Sequence, residues 1–161
     1  MTLDLTLTSM ITFVTTLVIL IIFSMMDIRE RKVSNHYMLV GGVIGLVIAF
    51  LPGHLNQNPI LHLTAPIFVI VLSYVLFHIK AIGGADFKAL VILSIISPGI
   101  ELALWIDPIL EAVIGGGLEM LIMLTFGYVY SNWSRKNNEK GTPLIPFLSV
   151  AYVLIQVLAL F

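Results

Sequence analysis

The sequence predicts an all-α polytopic membrane protein, a single domain of six transmembrane helices with both termini outside. Hydrophobic residues make up 59% of the 161 residues and charged residues 11%, with a mean hydropathy of +1.07. Soluble domains carry about 25% charged residues. Six apolar stretches are separated by turn-forming residues, and the basic residues cluster in alternate loops.

The composition also limits the classes of function. A net charge of −1 favours neither nucleic acid nor an acidic partner. The absence of cysteine excludes a disulfide framework, a thiolate metal site and a cysteine nucleophile. The first apolar run follows Asp4 with no Lys or Arg before it, so we expect a permanent span rather than a cleaved secretory signal.

Each predicted span is close to the length that a helix needs, about 20 residues for a hydrocarbon core of about 30 Å. The spans are residues 6–26, 37–52, 61–79, 87–105, 109–130 and 144–161. The second and sixth are short, so we expect their ends at the membrane interface. Turn residues mark the breaks, as at Pro52-Gly53, Gly83-Gly84 and Asp107-Pro108.

The basic residues lie after the first, third and fifth spans or at the start of the fourth. They are Arg29, Arg31, Lys32, Lys80, Lys88, Arg135, Lys136 and Lys140. Cytoplasmic loops of membrane proteins are enriched in Lys and Arg. The three basic loops are therefore predicted to be cytoplasmic, in a multi-pass protein of the cell membrane.

Asp86 lies where an acid is costly, between two apolar runs and directly after a glycine-rich break. An ionisable residue within a bilayer costs about 2.5 to 3.5 kcal/mol on insertion scales and is a functional candidate by default. The alternative is that Asp86 only caps the helix that follows it. Asp27, at the end of the first span, is a second acid in such a place, although it could simply pair with the basic residues after it.

The predicted topology brings these two acids to the same side. Asp27 ends span one on its way into the cytoplasm, and Asp86 begins span four on its way back. If the two spans pack together, the carboxyl groups can share a proton, with one acting as general base on a water and the other polarising a peptide carbonyl. We therefore predict an aspartic-peptidase dyad that titrates as a unit.

Three segments resemble the motifs of a known family. DIRERKVSN, from Asp27 to Asn35, and GGADFKAL, from Gly83 to Leu90, resemble the first and second motifs of type IV prepilin peptidases and archaeal preflagellin peptidases. PLIPFL, from Pro143, is similar to the proline-rich start of the family's last helix. The resemblance covers all six spans.

This resemblance implies a membrane aspartyl peptidase of the GxGD type that needs no cofactor. Its substrate would be a pilin-like or flagellin-like precursor, which loses a short basic leader at the cytoplasmic membrane face. Asp27 and Asp86 would be catalytic. Substrate binding or support of the motifs would fall to Gly83, Gly84, Lys88, Asn35 and Pro146.

The sequence departs from the family pattern at a few points. Ala85 stands where bacterial members usually have the second glycine, as in archaeal members, and Ser34 stands where proline is commoner. Neither change removes a catalytic group. The chain lacks the cytoplasmic insertion and the cysteine quartet of the bifunctional members, so we expect a peptidase without methyltransferase activity.

Structural roles are expected for most other polar and small residues. Lys88 is expected to point away from Asp86 and to anchor at the interface, with binding of a substrate carbonyl or a lipid phosphate as the alternative. Glu119, near the middle of span five, is expected to be neutral and hydrogen-bonded to another helix. Gly41 and Gly45 are expected at close helix contacts.

Aromatic residues near the span ends, Tyr128 among them, fit interfacial belts and are given no chemistry. The four histidines have no compact ligand spacing, so no metal site is predicted.

Two other functions stay open. An intramembrane protease that cuts within a substrate's transmembrane helix would carry a similar glycine-aspartate motif, but its first aspartate would lie inside a helix rather than before a basic loop. A small proton- or cation-coupled transporter would use Asp27, Asp86 and Glu119 as acids at several depths.

Overall fold

A computed structural model describes residues 2–3, 6–31, 33–50, 58–104, 107–134 and 142–159. Within these ranges the chain forms six helices: α1 (Leu7–Glu30), α2 (Asn35–Phe50), α3 (Pro59–His78), α4 (Gly84–Ile96), α5 (Pro108–Ser134) and α6 (Ile145–Leu158). Lys32, Arg135, Lys136, Lys140 and His54 lie outside the described residues.

The helices agree with the predicted all-helical class and largely with the predicted spans. By length and composition α1, α3 and α5 can each cross a membrane, while α2 and α6 are shorter apolar helices. A feature that was not predicted is a pair of two-residue strands, β1 (Thr2–Leu3) and β2 (Ala103–Leu104), which are antiparallel.

Helix α4 lies at the centre of the bundle. It contacts α1, α2, α3 and α6, and its residues Ala89, Leu90 and Leu93 are almost completely buried. The expected close contacts of α2 are confirmed, because a Cβ on Gly41 would lie 2.7 Å from the ring of Phe23 and Gly45 packs directly on Ile96. Helix α4, which carries Asp86 in its first turn, is thus held by four helices.

The predicted fourth span is wrong in length, because α4 ends at Ile96. Ser97 precedes Pro98, and the residue before a proline is disfavoured in a helix. Residues 97–104 then fold back against the bundle. Gln156 of α6 holds them there: its Oε1 accepts from the N–H of Glu101 at 2.8 Å, and its Nε2 donates to the carbonyl of Gly99 at 3.1 Å.

Glu119 is buried in α5, as expected, but its expected hydrogen bond to another helix is not found among the described residues. Its carboxyl group instead lies within electrostatic range of the Tyr152 hydroxyl of α6.

Candidate active site

A cavity of about 840 Å³ lies at the end of the bundle where α1 and α3 end and where α4 and α6 begin. Asp27 and Asp86 both line it. The remaining walls come from Arg31, from residues 80–85, from the α5 residues Leu124, Gly127, Tyr128 and Ser131, and from Thr142, Pro143 and Leu144. The two predicted catalytic acids, 59 residues apart in the sequence, therefore face one space.

Asp86 is positioned by the first turn of α4. The backbone N–H of Gly83, at the N-cap, donates to Oδ2 of Asp86 at 2.9 Å. A Cβ on Gly83 would lie 3.0 Å from that same oxygen, whereas a Cβ on Gly84 would only touch the Phe77 ring at 3.8 Å. Of the two glycines, Gly83 is the one whose missing side chain leaves room for the carboxyl group.

Asp27 is positioned by two helices. It lies in the last turn of α1, and its Oδ2 accepts a hydrogen bond from the backbone N–H of Ile145, at the start of α6, at 3.3 Å. Pro146 occupies the first turn of α6, where a proline fits because the N–H it lacks has no partner within the helix. The third motif therefore meets the first motif at Asp27.

Both carboxyl groups are withdrawn from solvent, with Asp27 6% and Asp86 7% exposed. Burial raises the pKa of Asp86 to about 6; the N–H of Gly83 opposes this rise, and the charge of Asp27 adds to it. The two carboxyl groups line the same cavity. Two neighbouring buried carboxyl groups do not both ionise readily, so they can hold one proton between them.

Lys88 and Asn35 do not line the cavity. Lys88 points away from Asp86, as expected, and its Nζ donates to Oδ1 of Asn35 at 2.6 Å. This bond joins the start of α2 to the second turn of α4 and so links the first and second motifs. It was not predicted, because the two residues are 53 positions apart.

The sequence analysis missed the contribution of α5. Gly127 packs directly on Leu144, and Tyr128, which was assigned to an interfacial belt, lines the cavity with Ser131. No motif marks these residues, and the apolar pattern of span five predicts a helix but not which helix faces the dyad. Among the described residues, no group of three or more His, Asp or Glu is arranged to hold a metal ion.

Comparison with known proteins gives one match. The model of the type IV leader peptidase family matches residues 14–161, a range that includes every residue of the cavity. No curated protein and no solved structure matches the chain.

Proposed function

The chain belongs to the type IV leader peptidase family, and we propose that it is a membrane aspartyl endopeptidase in which Asp27 and Asp86 activate a water molecule. The observation that carries this proposal is the shared cavity, which both buried carboxyl groups line. In the proposed topology this end of the bundle is the cytoplasmic one, the chain crosses the membrane six times, and both termini lie outside.

In the proposed reaction the dyad begins with one proton. The ionised carboxylate takes a proton from a water molecule, whose oxygen attacks the carbonyl carbon of the scissile peptide. The protonated carboxyl group gives its proton to the carbonyl oxygen. As the tetrahedral intermediate collapses, the amine leaves with a proton from the dyad and the hydroxyl proton returns to it, so the dyad again holds one proton.

The location of the dyad favours cleavage at the membrane surface over cleavage within a transmembrane helix. Asp27 was predicted to lie after the first span and before a basic loop, but it lies inside helix α1. It occupies the last turn of that helix, and Asp86 occupies the first turn of α4, so both acids lie at one end of the bundle. The proposed substrate is a pilin-like or flagellin-like precursor, cut between a short basic leader and the apolar helix that stays in the membrane. A glycine before the scissile bond would let an extended backbone reach between the helices.

The transporter alternative receives no comparable support, since Glu119 does not line the cavity that the aspartates share. Both functions are tested in one reconstituted system. The parent protein, in proteoliposomes with a pilin-like precursor, should release the leader and produce one new N-terminus, as read by mass spectrometry. Under a pH gradient, the same vesicles should show no proton flux that depends on Glu119, so the parent and Glu119→Gln should behave alike. Gradient-driven proton flux without cleavage of the precursor would reject the peptidase function.

A further inference from the structure

One face of α5 stays open from the cavity towards the middle of the bundle. Leu124, Tyr128 and Ser131 form the α5 wall of the cavity. Gly117 precedes Leu124 by about two helical turns and so lies on the same side of the helix. A Cβ built on Gly117 meets no atom within 4 Å. These four residues are called the open face below; they extend over about 20 Å of the helix axis.

The helices next to α5 contact it elsewhere. On the side of α3, a Cβ on Gly116 would lie 3.0 Å from Val69. On the side of α6, Leu144 packs on Gly127, and the rings of Tyr130 and Phe147 are 5.6 Å apart. At 100° per residue, these contact positions of α5 are rotated away from the open face. The neighbouring helices therefore leave Gly117 and Tyr128 accessible, whereas Leu124 is half-buried and packs in part against the hydrophobic core.

The chemistry of the open face changes along its length. Tyr128, 70% exposed, and Ser131 give the cavity end an aromatic and polar character. Leu124 is apolar, and Gly117 has no side chain, which permits another helix backbone to approach closely. This order suits an apolar helix whose first residues enter the cavity and whose body lies in the bilayer.

We propose that the open face of α5 binds the apolar helix of the precursor, the part that remains in the membrane after cleavage. This inference rests on the proposed function. A peptide cut between Asp27 and Asp86 has its new N-terminus in the cavity, so the helix that follows has to leave the cavity directly into the bilayer. The open face begins as a wall of the cavity that holds the aspartates and continues along α5 to membrane depth, where a second helix can lie against it.

The test adds bulk at the far end of the open face. Gly117→Trp should lower kcat/KM for the full precursor at least tenfold, mainly through KM, and leave the melting temperature unchanged. A soluble peptide with the leader and the scissile bond but no helix should be cut at the parent rate. Val43→Trp, at an exposed position of α2, is the control and should change the cleavage rate of neither the full precursor nor the soluble peptide. The proposal would be overturned if Gly117→Trp cut the full precursor at the parent rate, or if it lost the same fraction of activity on both substrates.

Cross-linking identifies the occupant directly, because the chain has no cysteine of its own. When a mild thiol oxidant is added, Leu124→Cys in an Asp86→Asn background should form a disulfide with a precursor that carries one cysteine early in its helix, and Val43→Cys should not. A dimer of the enzyme instead would assign the face to a second copy, and no adduct would assign it to lipid; either result rejects the proposal. If the parent cuts neither substrate, the proposed function fails, and this inference fails with it.

Discussion

The backbone N–H of Ile145 donates a hydrogen bond of 3.3 Å to Oδ2 of Asp27, a residue 118 positions earlier in the chain. The bond joins the start of α6 to the end of α1. Leu144, the residue before Ile145, is packed on Gly127 of α5. The carboxyl group of Asp27 is therefore positioned by a series of contacts that begins in a third helix.

Gly127→Ala should disturb this series, because the new methyl group overlaps the end of the Leu144 side chain. A displaced Leu144 shifts Ile145 and weakens its bond to Asp27. A hydrogen bond to a charged group contributes about 1.5 to 3 kcal/mol, so we expect kcat for precursor cleavage to fall about tenfold. Steady-state kinetics on purified protein measures this change.

The matched control is Gly115→Ala in the same helix, where the added Cβ meets no atom within 4 Å and kcat should not change. Adding Leu144→Ala to Gly127→Ala removes the overlap and should restore most of the lost activity. If the double variant is no better than Gly127→Ala, the contact between residues 127 and 144 does not position Asp27.

The bond between Lys88 and Asn35 should act through geometry rather than stability. Both side chains are exposed, and surface substitutions change stability little, so Lys88→Met and Asn35→Ala should each lower the free energy of unfolding by less than about 1 kcal/mol. Each should still reduce kcat several-fold, because α2 is no longer tied to α4 beside Asp86. The double variant should be no worse than either single one. Additive losses would show that the two residues act independently.

Asp86 should make the folded state less stable as pH rises. Its pKa, raised from 3.8 to about 6 mainly by burial, means that the folded chain keeps a proton that the unfolded chain releases between these pH values. Stability is therefore lost from about pH 4 to about pH 6, by up to about 3 kcal/mol, and the loss is complete above that range.

Asp86→Asn removes the loss of stability that ionisation of Asp86 causes, and the amide keeps an oxygen that can accept the hydrogen bond from the N–H of Gly83. It should raise the melting temperature relative to the parent at pH 8 but not at pH 4, as measured by thermal unfolding in detergent. Val43→Ala, at an exposed position of α2 that carries no titratable group, is the control and should shift the melting temperature equally at both pH values. A gain for Asp86→Asn that is larger at pH 4 would contradict the assignment.

Gln156→Leu should destabilise the fold without touching the dyad. It would remove the partner of the buried N–H of Glu101 and of the half-buried carbonyl of Gly99. We expect a cost of about 1 to 3 kcal/mol for the buried group. Val157→Ala, at the exposed neighbouring position, is the control for a side-chain change in the same turn of α6. A melting temperature for Gln156→Leu equal to that of Val157→Ala would show that the segment 97–104 does not depend on Gln156.

Much of this architecture could be predicted from local patterns. Apolar runs of the right length identify the helices, and the alternation of the basic loops places Asp27 and Asp86 at one end of the bundle, where both line the same cavity. The helices can be predicted in this way because an apolar helix depends mainly on the composition of its own segment.

Long-range contacts could not be predicted in this way. The early end of α4 follows locally from Pro98, but the return of residues 97–104 against the bundle depends on an amide 55 positions away. Two other contacts also join distant parts of the sequence. Leu144 packs on Gly127 of α5, and Lys88 of α4 donates to Asn35 at the start of α2. In each case the contact is set by helix packing, which a single sequence does not encode as a motif.

The central claim is that Asp27 and Asp86 are both catalytic. The most direct test is cleavage of a co-expressed pilin-like precursor by the parent, by Asp27→Asn and by Asp86→Asn, with membrane insertion of each protein verified. We predict that the parent shortens the precursor and that each variant, although stably inserted, does not. Cleavage of the precursor at the parent rate by either inserted variant would contradict the dyad.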